Sequence, residues 1–82
     1  MRFRMVMPAG FGPPAPEKHP GIREDFRVLR GTLDLGRVNG KHVVLHAGDE
    51  FTLPPNTFHK PSNPSSSEPL EFEATLTPGH DA

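Results

Sequence analysis

Proline and glycine make up nearly a quarter of this chain, eleven and eight of 82 residues. Proline has no backbone N–H and clashes with the preceding helical turn, while glycine loses the most conformational freedom when ordered. A chain punctuated this often has room for short strands and many turns, and none for long helices. Helix is implausible across 1–22, where PAGFGPPAP (8–16) alone holds four Pro and two Gly.

Between the punctuation marks the residues alternate. RFRMVM (2–7) places Phe3, Met5 and Met7 on one face of a strand. EDFRVLR (24–30) places Glu24, Phe26 and Val28 on one face, opposite Asp25, Arg27 and Leu29. A short helix would also fit that pattern, but Gly31 and the β-rich run after it favour a strand. TLDLGRV (32–38) and KHVVLH (41–46) flank Asn39-Gly40, a strong hairpin signal because both residues tolerate positive φ. Gly48-Asp49 turns the chain into EFTL (50–53), and Pro54-Pro55-Asn56 turns it again. TFHKP (57–61) reads as a short strand ended by Pro61. NPSSSEP (63–69) reads as polar loop, and LEFEATLT (70–77) directs Leu70, Phe72, Ala74 and Leu76 to one side. Six to eight short antiparallel strands with frequent turns predict an all-β sandwich or barrel. Barrel closure suits so short a chain because it removes exposed edges.

Length allows one domain over 1–82, with a frayed tail at 79–82. A domain this small buries only about 60–65% of its unfolded surface, so a metal or a partner subunit would add needed stability. A homodimer is the expected remedy, with the N-terminal strand 2–7 as its contact. The absence of Cys excludes disulfides and thiolate zinc sites. A formal net charge of −1, with no basic run and no Tyr or Trp, argues against nucleic acid as a partner. The apolar runs are too short to span a membrane, and the N-terminus lacks an apolar core of signal-peptide length, so a cytoplasmic protein is expected.

One spacing is more specific. Gly48, five residues, Pro54, one residue, Asn56, two residues, His59, three residues and Asn63 reproduce the second motif of the cupin superfamily. Asn56 stands where that family has Gly, and Asn is the next most tolerant residue of positive φ. Glu24, six residues and Gly31 match the end of the first cupin motif, and His19 takes the place of the second His in its His-x-His start. Glu17 occupies the position of the first His. The chain therefore resembles a small single-domain cupin over about residues 10–78.

The resemblance implies a jelly-roll barrel with one divalent metal in its mouth, held by Glu17, His19, Glu24 and His59. The residues themselves are compatible with that set. Glu17 and His19 are two apart, so on a strand both point to one face. Glu24 shares a face with Phe26 and Val28, where a carboxylate is costly unless paired or coordinated. Two imidazoles and two carboxylates suit Fe(II), Mn(II), Ni(II) or Zn(II), and the second carboxylate tilts the site toward Mn or Fe. Each residue also has a plainer reading: Glu17 as an exposed loop residue, His19 as a turn residue before Pro20-Gly21, Glu24 as a partner of Arg27 or Arg30. His42 and His46 are about 13 Å apart along a strand, too far to share an ion, and read as solvent-facing or as a subunit contact. Asp49 and Asn63 read as turn residues that hydrogen-bond the backbone. His80 carries no expectation of function.

Function divides into two classes. A metal-binding cupin would bind or transform a small organic molecule in the barrel mouth, with oxygenase-type or isomerase-like chemistry if it is an enzyme. The alternative is a metal-free binding or sensor module that keeps the barrel without catalysis, a reading favoured by the Glu at the first His position.

Overall fold

The structure is a computed structural model that describes residues 1–79. It is all β: strands β1 (Arg2–Met7), β2 (Ile22–Arg30), β3 (Thr32–Val38), β4 (Lys41–His46), β5 (Glu50–Leu53) and β6 (Leu70–Pro78). β1, β6, β2 and β5 form one antiparallel sheet in that order, and β3 and β4 form a second. The alternation sets which faces are buried. Phe26, Val28, Phe72 and Ala74 from the larger sheet meet Leu33, Leu35 and Leu45 from the smaller in one core. The exposed positions of β2 are Arg23, Arg27 and Arg30. The arrangement is that of a jelly-roll barrel.

The turns follow their residues. Asn39 (φ 50°) and Gly40 (φ 81°) both lie in the left-handed region and join β3 to β4 as a two-residue hairpin. Gly31 closes β2 at φ 83°, and a Cβ there would lie 2.6 Å from the Pro69 carbonyl oxygen. No residue but glycine fits that approach without moving backbone.

Residues 57–61 do not form the expected strand. Only isolated bridges occur here, His59 opposite Glu17 and Ser62 opposite Asp34. The segment still flanks the smaller sheet: Lys60 N donates to Leu35 O (2.8 Å), and Asp34 and Ser62 exchange backbone bonds of 2.8 and 2.9 Å. The β3 bulge between Asp34 and Gly36 and the missing N–H of Pro61 interrupt a regular ladder. β2 begins two residues before the expected start, at Ile22, because its partner β6 continues to Pro78. At the start of the expected frayed tail, Gly79 N–H donates to Gly21 O at 2.8 Å. The rest of the expected frayed tail, with His80, lies outside the described residues.

Asn63 does more than shape a turn. It is buried, with its amide nitrogen 3.1, 3.2 and 2.8 Å from the carbonyl oxygens of Met7, Pro8 and Glu68. Its Oδ1 accepts from Ser65 N at 3.0 Å. One side chain thus ties the end of β1 to the loop before β6.

Candidate metal and ligand site

The barrel mouth is assembled from the loop before β2, the turn after β5 and the start of β2. Glu17 and His59 are a hydrogen-bonded antiparallel pair, each N–H donating to the other's carbonyl at 2.8 and 2.9 Å. Directly opposed residues project to the same side, so the two side chains meet. His19, two residues on, projects with them. Its carbonyl accepts from Ile22 N (3.3 Å) and Asn56 N (3.2 Å), which fastens the loop to the turn after β5. Asn56 has φ 59°, the backbone conformation that the glycine of the related motif would take.

Glu17, His19 and His59 each offer one ligating atom, and these atoms lie within 4.8 Å of one another. Glu24 approaches through His59, with Oε1 3.5 Å from Nε2. It points inward beside Phe26 and Val28, whereas Arg27 and Arg30 are exposed, so the alternative pairing with either arginine is not what the fold adopts. The His19 and His59 rings stand 5.3 Å apart, and Phe26 presents its ring 6.2 Å from that of His59.

The electrostatics of this cluster are unbalanced. Glu24 is 7% exposed, and its Oε1 is buried with no hydrogen-bond partner among the described residues. Burial pushes its carboxyl above the ordinary value; the nearby His19 opposes this and Glu17 reinforces it. Burial also pushes the His59 imidazole below its ordinary value. His59 Nδ1 lies 3.3 Å from the Thr57 carbonyl, which favours the proton on Nδ1 and leaves a lone pair on Nε2. That lone pair faces the Glu24 oxygen, so two acceptors oppose each other across a gap too long for a hydrogen bond. A cation between them removes the conflict, and a backbone-anchored imidazole is the usual support of a metal ligand. Glu17, His19 and His59 converge on one point, while the Glu24 carboxylate reaches that group only through its 3.5 Å approach to His59, and this mixture of imidazole and carboxylate donors fits a hard or borderline divalent ion.

The same residues line a cavity of about 490 Å³. Its other walls are apolar and include Phe3, Met5, Met7, Phe11, Phe72 and Leu76. The alternation of 2–7 puts Phe3, Met5 and Met7 on a common face, but only the pairing of β1 with β6 turns that face into the cavity. Phe11 carries no local signal, since it reaches the wall from a loop. His42 and His46 are exposed and remote from this cluster; His42 Nε2 sits 2.8 and 2.9 Å from the two Asp34 carboxylate oxygens. Asp49 Oδ2 accepts from His46 N at 2.8 Å, in keeping with its reading as a turn residue.

An antiparallel jelly roll with a histidine–carboxylate cluster at one end defines a class of small barrel proteins. The cupin domain family matches residues 3–77, and the chain belongs to that family. Germin-like protein 8-2 of Oryza sativa subsp. japonica is 36% identical over 76 residues, which is 85% of this chain and 34% of that protein. The chain thus spans about a third of the length of this curated relative. A predicted oxalate decarboxylase from Thermotoga maritima superposes with a TM-score of 0.82 at 29% identity, covering 95% of this chain and 65% of that one. A cupin protein from Bacteroides fragilis superposes with a TM-score of 0.81 at 23% identity, covering 99% and 67% of the two chains, a likeness of fold alone. No helix among the described residues is long and apolar enough to cross a membrane.

Proposed function

We propose that this chain acts as one metal-binding cupin domain, with Glu17, His19, Glu24 and His59 as the donors to a divalent ion and the adjoining cavity as the seat of a small organic molecule. The observation that supports it is the buried, unpartnered Glu24 oxygen facing the Nε2 of His59. A buried polar atom without a partner costs stability, and such atoms are rare in folded proteins unless something else completes them. When bound, a divalent metal would act as a Lewis acid toward an oxygen of the ligand. The chain's own residues do the rest. The Thr57 carbonyl orients the His59 ring, the Glu17–His59 backbone pair sets the loop, and the Phe and Met walls keep water from the ligand. Oxygenase-type chemistry is the reaction class we attach to the site, with oxygen uptake by the metal-loaded protein as its check. A two-fold homodimer through β1, an edge strand whose Val6 is exposed, is a further part of the proposal. Sedimentation at micromolar concentration reads it directly.

The deciding experiment is thermal denaturation with Mn, Fe, Ni and Zn. Binding to the folded state raises stability by about 2.7 kcal/mol at a hundredfold excess over Kd. His59→Ala should abolish most of that gain. If neither the wild type nor Glu17→His is stabilised by any of the four ions, the barrel is a metal-free binding module.

A further inference from the structure

The distribution of charge around the cavity restricts which ligands it can hold. Its polar groups lie together in Glu17, His19, Glu24 and His59, and no Lys or Arg lines it among the described residues. Of the basic side chains next in sequence to lining residues, Lys18 Nζ sits 4.9 Å from the centre of the Phe58 ring, Arg4 is 3.4 Å from Glu71 and Arg23 is 3.3 Å from Asp25, and Arg2, Arg27 and Lys60 do not line the cavity either. With a divalent ion held by Glu17, His19 and His59 and the Glu24 carboxylate beside it, the charges in the site sum to zero. An anionic ligand would exchange its hydration for apolar walls and gain no net positive charge in return. An uncharged ligand gives up much less solvation and gains from burial against phenylalanine and methionine side chains.

Building on the metal-site reading, we propose that the cavity takes an uncharged, largely apolar molecule with an oxygen donor at one end, and discriminates against carboxylates and dicarboxylates. The oxygen end lies toward the four polar residues and the apolar body against Phe3, Met5, Phe11 and Leu76. This sets the site apart from one suited to oxalate, the small dianion in the name of the Thermotoga maritima relative.

Two shape-matched probes and a dianion test this: 2-acetylnaphthalene, 2-naphthoate and oxalate, titrated calorimetrically into the full chain with and without zinc. The ketone should bind, the naphthoate should bind at least about tenfold more weakly, and oxalate should give no saturable heat. Met5→Lys puts a cation on the exposed rim of the wall and should raise naphthoate affinity about tenfold while weakening the ketone. In zinc-loaded protein, Glu17→His leaves one unit of positive charge in the site and should shift preference the same way. Naphthoate or oxalate binding to the wild type as tightly as the ketone overturns the proposal, as does failure of the ketone to bind either form. Zinc titrated alone reads the metal site separately. If zinc does not bind, the two carboxylates stand uncompensated, and the preference for the ketone over the naphthoate should widen.

Discussion

Among the described residues three polar side chains are buried, Glu24, His59 and Asn63, all within the motifs that identify the barrel, and the fold treats Asn63 and Glu24 in opposite ways. Asn63 is 2% exposed, and the chain satisfies it with carbonyls from Met7, Pro8 and Glu68 and the amide of Ser65. Glu24 is 7% exposed, and the chain leaves its Oε1 without a partner, facing another acceptor. A buried polar group that serves architecture is completed by the protein. A buried group that the protein leaves incomplete has a cost that only an added cation or proton relieves. The contrast separates the residue that holds the mouth's surroundings together from the one we assign to ligation.

The largest effect should come from Asn63→Ala. The carbonyls of Met7, Pro8 and Glu68 lose the two N–H donors they share and Ser65 N loses an acceptor, so the fold should lose about 3 kcal/mol, in metal-free and metal-loaded protein alike. Urea unfolding with and without zinc measures it; a loss that appears only with zinc would erase the distinction between the two residues.

Glu24→Gln should act with the opposite sign. Without metal at neutral pH, exchanging a buried carboxylate for a neutral amide should stabilise the fold by about 1–2 kcal/mol. With metal, the same variant should lose most of the wild-type gain. A variant that is destabilised in both states would make Glu24 a second structural residue like Asn63.

The pH dependence of the metal-free protein sharpens this further. The folded Glu24 carboxyl titrates above its ordinary value of 4.5, so the folded state holds that proton more tightly than the unfolded chain does. Its contribution is fully present below 4.5 and is lost as pH rises through the raised value. His59 titrates below its ordinary 6.5, so its contribution is present above 6.5 and is lost as pH falls through the lowered value. Unfolding curves from pH 4 to 8 should show the loss on the alkaline side vanish in Glu24→Gln while the acid-side loss persists.

The smallest effect is expected at Glu17. It is exposed, so Glu17→Ala should change metal-free stability by no more than about 0.5 kcal/mol. The same substitution should weaken metal binding, though less than His59→Ala does, as read by competition with a chromogenic chelator.

Much of this molecule can be read from local chemistry. Asn39-Gly40 specifies its hairpin because both residues accept positive φ, and the two-residue alternation of 24–28 and 70–74 specifies the buried faces because successive strand side chains point to opposite sides. The spacings from Gly48 to Asn63 and from Glu24 to Gly31 carry the family resemblance; the first names His59, and the second, with the positions before it, names Glu17, His19 and Glu24. What the sequence does not contain is which of these groups end up adjacent. Glu17 meets His59 across 42 positions only because their backbones pair, and His59 lies in a segment that never completes a strand. Asn63 looks like an ordinary turn residue until the fold brings the end of β1 to it, 55 and 56 residues away. The wall of Phe3, Met5 and Phe11 becomes a cavity only when β1 pairs with β6. Turn type and face depend on backbone torsions and periodicity, which are properties of neighbouring residues. Convergence depends on the register of strands distant in the chain, and that is settled by packing of the whole barrel.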